Sequence, residues 1–406
     1  MNKVLTFIMA GGKGERLFPL TRERTKPAVP FGGIYRIIDF TLSNCINSGL
    51  RKICVLTQYK SSSLNHHLIM GWNILNSELG EYIDALPAQQ RIGEIWYLGT
   101  ADSIYQNLYL VHEEEPDYVL ILAGDHVYKM DYAQMIAVHR KSGAELTVAV
   151  VETPKEKTSR LGIIEVERRM RVKGFLEKPV EPKTIFRHTD FVYASMGIYV
   201  FNRETLVEEL KEDAQNTHSQ HDFGKNIIPQ MIKKSKKVFA YNFKDPKTNK
   251  PQYWRDVGDT EAYYAANMDL VKVTPEFNLY DKDWPIRTYE GQFPPVKTVW
   301  GGEQNKARVG QAINSLIANG CIISGGRVKY SILSPCVRVN SFSEVYDSII
   351  MEGTEISRYA KIKRAIIDKN VRISQGAKIG YNSAEDKRKF TVTDSGIVVV
   401  PKGSVV

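Results

Sequence analysis

The sequence predicts an α/β fold in two parts: an open, mostly parallel sheet, then a parallel β-helix. Two periodicities and one break carry this. Up to about residue 272, short apolar runs alternate with helix-like segments, as in sheets built from strand–helix units. From residue 308 onward, an aliphatic residue recurs every six positions. Between them, residues 273–307 hold prolines and aromatics such as Pro275, Trp284, Pro294 and Trp300 without a clear period, which predicts a connector lying on both domains.

In the first part, Val4 to Ala10 is an apolar run that stops at Gly11-Gly12-Lys13-Gly14. Such a run reads as a buried parallel strand feeding a tight loop. Further runs are Ile53 to Thr57, Tyr118 to Ala123, Leu146 to Val151 and Met196 to Phe201. Ser103 to Glu115 places Ile104, Leu108 and Val111 on one helix face. Ligands of open α/β sheets bind beyond the carboxyl ends of the strands. Gly11 to Gly14 and Gly124-Asp125 both fall at such ends.

In the last part, Leu316, Ile322 and Val328 are six apart. So are Leu333, Val339, Val345 and Met351, then Ile350, Ile356 and Ile362, then Ile367, Ile373 and Ile379. One aliphatic in each six suits short strands stacked into a solenoid core. A plain β-sandwich would permit the spacing without singling out one position. Stacked solenoids offer flat faces, so contacts between copies are expected.

Composition narrows the function. The 406 residues are 43% hydrophobic and 25% charged, an ordinary globular balance. No signal-like N-terminal segment and no long apolar run is seen, so a cytoplasmic location without membrane contact is expected. Cys45, Cys54, Cys321 and Cys336 form no C-x-x-C pair and read as reduced and structural. The net charge of +9 comes from basic residues scattered among acidic ones. The densest cluster, Lys233 to Lys237, reads as a solvated helix end, so no nucleic-acid partner is expected.

Several residues carry candidate chemistry. Glycines at a strand end let backbone N–H groups approach a phosphate, and Arg16 and Lys26 would add fixed cations beside it. The loop matches neither G-x4-G-K-[ST] nor G-x-G-x-x-G. Asp125, after an apolar run, is either a ligand for a hard cation such as Mg²⁺ or the N-cap of a helix starting near Tyr128. Asp256 has the same two readings. Glu177 and Lys178, at the end of an alternating segment, are either a sugar-and-phosphate pair or a surface ion pair. Tyr97 is either an amphipathic wall or a half-buried loop aromatic. His218 and His221 lack ligand-spaced partners for a metal, and His66-His67 reads as helix surface. No nucleophile elbow or Ser-His-Asp order supports covalent catalysis.

The strings AGGKGERL and TKPAVPFGG, at Ala10 to Leu17 and Thr25 to Gly33, resemble the signature of the sugar-phosphate nucleotidyltransferases. GTAD at Gly99, LAGDHVYKMDY at Leu122, FLEKP at Phe175, ASMGIYVF at Ala194, HDFGKNIIP at His221, YWRDVG at Tyr253, RIIDFTLSNCINSG at Arg36 and WPIRTY at Trp284 narrow the resemblance to the glucose-1-phosphate adenylyltransferases. It covers nearly the whole chain. It implies a Rossmann-like catalytic domain, a left-handed β-helix and a homotetramer. The implied reaction joins ATP to glucose 1-phosphate with Mg²⁺, releases diphosphate, and supplies ADP-glucose for glycogen synthesis.

Carried over by motif, the implied nucleotide site lies on Gly11, Gly12, Gly14, Gln58, Gly99 and Thr100, with Arg16, Lys26 and Asp125 catalytic. The implied sugar-phosphate site lies on Tyr97, Gly162, Glu177, Lys178, Ser195, Tyr199, Asp222, Phe223 and Trp254, and the metal on Asp125 and Asp256. Some relatives carry an activator-linked lysine where this chain has Glu23. Arg22, Arg24 and Arg36 lie nearby as possible sites for anionic allosteric effectors. The alternatives are a pyrophosphorylase using UTP, dTTP or GTP, and a non-catalytic regulatory subunit of the same fold.

Overall fold

The computed structural model describes residues 3–89, 96–157, 161–179, 184–185 and 190–406. The runs that alternate with helical segments form a sheet of nine strands. At its centre Val4–Met9 lies parallel between Lys52–Thr57 and Tyr118–Ala123, with Met9 level with Leu56 on one side and Ala123 on the other. Tyr82–Pro87 adds a parallel edge beyond Lys52–Thr57. The sheet turns antiparallel at the long strand Phe191–Asn202, which pairs with Tyr118–Ala123 through its second half. Its first half takes up Gly162–Val166, which forms a hairpin with Val172–Glu177. The change of partner coincides with a register break between Ser195 and Tyr199, where Gly197 has φ 66°.

Alternate residues of one strand serve opposite cores. Ile8 and Leu122 pack toward one face, Phe7 and Ile121 toward the other, as a sheet covered on both sides requires. The segment expected as one helix over Ser103 to Glu115 is two, Thr100–Tyr105 and Leu108–Glu114. The break falls at Asn107, whose Nδ2 donates to the Ser103 carbonyl and the Tyr97 hydroxyl. Ile104, Leu108 and Val111 are nevertheless all buried in one core.

The C-terminal part is a solenoid of three sheets, parallel throughout except that Thr391–Val392 pairs antiparallel with Val398–Val400 at the end of one. Its stacking interval is sixteen residues in the first coil, where Ile323 pairs with Val339 and Ile317 with Leu333, and seventeen after it: Val339, Ile356 and Ile373 pair in line, and so do Val345, Ile362 and Ile379. The seventeen-residue coils therefore take two steps of six and one of five, and the first coil one of six and two of five. The step of five is why the hexad pattern restarts in separate runs. Three residues of that pattern do not fill the solenoid core. Ile317 and Ile323, not Leu316 and Ile322, face it, and Met351 packs instead against the catalytic domain. The solenoid begins earlier than expected, because Lys297–Val299 already pairs with Ile322–Ser324. Upstream, Trp284 Nε1 donates to Asn44 Oδ1 at 2.8 Å and Asn47 Nδ2 to the Pro285 carbonyl at 2.9 Å, so that stretch lies along the helix Ile37–Asn47.

The two domains share an apolar interface. Leu17, Phe31, Tyr263 and Leu270 from the first pack with Ile332, Ile349, Ile366 and Val399 of the second. No helix among the described residues is long and apolar enough to cross a membrane.

The enclosed solenoid core makes a testable contrast. Ile362→Ala should cost about 2–5 kcal/mol, while exposed Lys363→Ala should stay within about 0.5 kcal/mol. Urea unfolding followed through the solenoid's transition measures both. A loss below about 1 kcal/mol for Ile362→Ala would contradict a packed core.

Candidate active site

The ends of Val4–Met9 and Tyr118–Ala123 lie at one level, where strand order reverses about the first strand. This is the crevice position expected of open α/β sheets. The Ala10 N–H donates to the Leu56 carbonyl at 2.9 Å and the Gly124 N–H to the Met9 carbonyl at 3.1 Å, which ties both loops to the sheet top. Gly14 sits at φ 65°, and a Cβ there would meet Lys26 Cβ and Thr21 Cγ2 at 3.1 Å. The bend is thus available to glycine at low cost.

A cleft of about 770 Å³ opens above these loops. Gly11, Gly12, Gly14, Arg16 and Lys26 line one side, and Gln58, Tyr97, Gly99, Thr100 and Asp125 line others. All the residues assigned to nucleotide and catalysis are therefore brought together. The Tyr97 N–H donates to Gln58 Oε1 at 3.0 Å, so this wall is anchored to the sheet. Sequence reasoning missed Lys13, Ser103 and Gly258, which also line the cleft. The motif strings contained Lys13 and Gly258, but no chemistry was attached to either.

Asp125 is not a helix N-cap. Tyr128 belongs to the strand His126–Tyr128, and the next helix, Tyr132–Ser142, is capped by Asp131, whose side chain accepts from the Ala133 N–H at 2.9 Å. That strand pairs antiparallel with Trp254–Asp256, setting Asp256 opposite His126. Lys26 Nζ then bridges Asp125 Oδ2 at 2.6 Å and Asp256 Oδ1 at 3.3 Å. Burial opposes charge on both partners. Even so, the two carboxylates hold the buried Lys26 above the usual lysine range. Lys26 and His126 likewise hold the Asp125 carboxyl below the usual carboxylate range. His126, not assigned from sequence, brings Nε2 within 3.5 Å of Asp125 and stacks edge-on to Trp254 at 5.1 Å. Among the described residues, Asp125, His126 and Asp256 alone group donor atoms suitable for a metal, all within 4.8 Å of one another.

Of the sugar-phosphate residues only Tyr97 lines the cleft, and others form an adjoining group. Thr100 joins the two, donating Oγ1 to Asp222 Oδ2 at 3.0 Å and accepting from the Phe223 N–H at 3.1 Å. The other Asp222 oxygen accepts from the Gly224 and Lys225 N–H groups at 2.9 and 3.0 Å. Asp222 is thus occupied in holding a helix start. Phe223 is buried against Tyr199, with ring centroids 5.4 Å apart. Burial pushes the Tyr199 phenol up. Ser195 lies at the strand kink, accepting from the Gly197 N–H at 3.4 Å. Gly162 pairs with Glu177 across the hairpin. Glu177 and Lys178 form an ion pair at 3.2 Å on a half-exposed rim.

The remaining expectations separate in the same way. His67 is buried, with Nε2 2.6 Å from Asp39 Oδ1, so only His66 lies at the surface. His221 Nδ1 lies 2.8 Å from Asp213 Oδ2 rather than facing His218. Lys234 and Lys236 are paired with Glu209, Glu212 and Glu208, which neutralises the lysine-rich turn. All four cysteines are free, with only Cys336 exposed. Arg22 is exposed, Arg24 is buried in an ion pair with Asp368 at 2.8 Å, and Arg36 lines a second cavity of about 240 Å³ with Lys369 and Glu352.

Close approach at Gly99 yields a further contrast. A Cβ there would meet the His221 and Gln220 carbonyls at 2.3 and 2.4 Å, while at Gly12 it would meet nothing within 4 Å. Gly99→Ala should destabilise the fold by about 1–3 kcal/mol, and Gly12→Ala should leave it unchanged. Equal thermal midpoints for the two variants would contradict this packing.

Comparison with known proteins agrees with this geometry. The model of the nucleotidyl transferase family matches residues 5–273. That of the GlmU-like C-terminal hexapeptide family matches residues 294–400. The chain is 51% identical over 405 residues to the glucose-1-phosphate adenylyltransferase of Koribacter versatilis, covering 99% of this chain and 96% of that one. It is 50% identical over 408 residues to the enzyme of that name from Rhodopirellula baltica, covering 100% and 91%. With that from Anaeromyxobacter sp. the identity is 51% over 408 residues, covering 99% and 98%. With the glycine loop, the aspartate pair and the solenoid all in place, the chain belongs to the glucose-1-phosphate adenylyltransferase family of nucleotidyl transferases.

Proposed function

We propose that the chain converts ATP and α-D-glucose 1-phosphate to ADP-glucose and diphosphate. The observation that carries this is the cleft in which the glycine loop, Arg16 and Lys26 face Asp125 and Asp256. An oxygen of the sugar's phosphate attacks the α-phosphorus of ATP in line. A new P–O bond forms while the bond from that phosphorus to the bridging oxygen breaks, and the oxygen leaves on diphosphate. The attacking group is already ionised, its second pKa being about 6, so no base has to create the nucleophile. The protein's task is to position charged groups and neutralise them.

Lys26 and Arg16 face the leaving diphosphate, Lys26 fixed by its carboxylate partners and Arg16 from the exposed side of the loop. The Lys178 ammonium, half exposed beside Glu177, turns to the sugar's phosphate, and Glu177 accepts from glucose hydroxyls. Asp222 acts indirectly, by holding Thr100 at the cleft wall. The paired carboxylate oxygens of Asp125 and Asp256, already bridged by a cationic group, suit a hard ion that keeps waters, and they would hold Mg²⁺. Such an ion, when bound, supplies charge neutralisation at phosphate oxygens.

The wider reading is a cytoplasmic homotetramer, regulated by anionic effectors, that supplies the glucosyl donor for glycogen. The cavity holding Arg36 and Lys369 between the domains supports an anionic effector.

Diphosphate release with glucose 1-phosphate and Mg²⁺, compared across ATP, UTP, dTTP and GTP, tests the reading. A strong preference for ATP is expected, and equal or greater release with another nucleotide would overturn it. Asp125→Asn should lower kcat by about 100-fold or more with the fold intact. Near-normal turnover would refute its catalytic role. Lys178→Ala should raise the KM for glucose 1-phosphate by about tenfold with kcat much less changed. An unaltered KM would remove Lys178 from the sugar site.

A further inference from the structure

Three consecutive buried residues deliver Lys26 to the cleft, each tied to a different part of the molecule. Arg24 Nη2 donates to both carboxylate oxygens of Asp368, at 2.8 and 3.0 Å. Thr25 Oγ1 donates to the Ala10 carbonyl, at the root of the glycine loop, at 3.1 Å. Lys26 reaches Asp125 and Asp256. Asp368 belongs to the other domain and directly follows the solenoid strand Ala365–Ile367. Its backbone N–H donates to the Val400 carbonyl at 3.0 Å, and its carbonyl accepts from Thr354 Oγ1 at 3.1 Å. The carboxylate therefore stands on a stacked, rigid backbone.

The Arg24 and Asp368 side chains are only 6% and 2% exposed. Two charges so deeply buried pay a large desolvation cost, and an apolar contact would hold two domains together as well. The apolar interface already does so here. The pair instead has a geometric consequence, because Arg24 is two residues from the ammonium at the cleft.

We propose that Asp368 is a positioning residue for the active site, acting through Arg24 and Thr25 to fix the Lys26 ammonium between the two aspartates. It never touches substrate. The segment carrying Asp256 is tied to the same domain. In the helix Thr260–Leu270, Glu261 Oε1 accepts from the Ser395 N–H at 3.0 Å and Tyr264 OH donates to the Asp347 carbonyl at 2.7 Å. Two of the three charged groups bridged at the cleft are thus held from the solenoid side. The inference rests on the reaction proposed above.

The test uses the full chain with Asp368→Asn, which keeps the shape of the side chain and removes its charge. The expected result is an about tenfold or larger loss of kcat for ADP-glucose synthesis, with the KM for glucose 1-phosphate within about twofold and circular dichroism unchanged. Thr354→Val removes the neighbouring hydrogen bond to the Asp368 carbonyl while leaving its carboxylate, and should keep kcat near that of the unaltered chain. A loss of kcat equal in both variants would mark a general effect of loosening the solenoid and overturn the proposal, as would a folded Asp368→Asn with undiminished kcat. Should Asp368→Asn not fold, Arg24→Lys, which keeps the charge but loses the planar donor group, should show the same selective loss of kcat, and an unchanged kcat there would also overturn it. Absence of ADP-glucose synthesis by the unaltered chain would instead overturn the reaction, and this inference with it.

Discussion

The Lys26 ammonium, set between Asp125 and Asp256, is the interaction on which the site depends. Two carboxylates this close repel each other, and a buried lysine without a partner would lose its proton. Together each partner keeps the other charged, against the pull of burial. A cleft for polyanionic substrates needs this arrangement. It presents fixed charges that require no reorganisation when phosphates arrive. The three groups come from distant parts of the chain, so the fold has to bring their backbones into register before the charges can meet.

Two strand pairings, one in the main sheet and one in a separate two-stranded sheet, supply that register. The parallel strands Val4–Met9 and Tyr118–Ala123 end level with each other, which sets the glycine loop beside Asp125. The short antiparallel pair of His126–Tyr128 with Trp254–Asp256 then fixes the second carboxylate. Only the first follows from a local pattern, since apolar runs ending in glycine mark buried strands and their loops. The second joins residues 126–128 to 254–256, and nothing in either string announces its partner. That is why metal ligand and helix cap stayed equally open for both aspartates. His67 misled for the same reason. Its neighbours on the helix suggest surface, and its burial is explained by a carboxylate 28 positions away, Asp39.

The solenoid was legible because its rule is local and repeated. Even so, a step of six within each run carries no interval for a whole coil. Three members of the hexad pattern, Leu316, Ile322 and Met351, fall beside the inward positions because the sides of a coil are not all six residues long. What could not be read at all is how the solenoid meets the catalytic domain. Arg24 and Asp368 lie 344 positions apart, and an arginine or an aspartate in such strings is far more often solvated than paired in a core.

Adjacent residues of one segment meet the solenoid with unequal freedom to change. Glu23 pairs with Lys402 at 2.6 Å, the two side chains being 51% and 41% exposed. Such a pair is worth at most about 1 kcal/mol and can be exchanged with little consequence for the fold. Arg24 has no such freedom, because removing one partner of a buried pair leaves the other charged and unsolvated, at a cost of about 3–5 kcal/mol. Both side chains grip the solenoid, Glu23 at the surface and Arg24 beneath it. The outer contact can therefore vary with little consequence, while the inner one, two residues from Lys26, cannot.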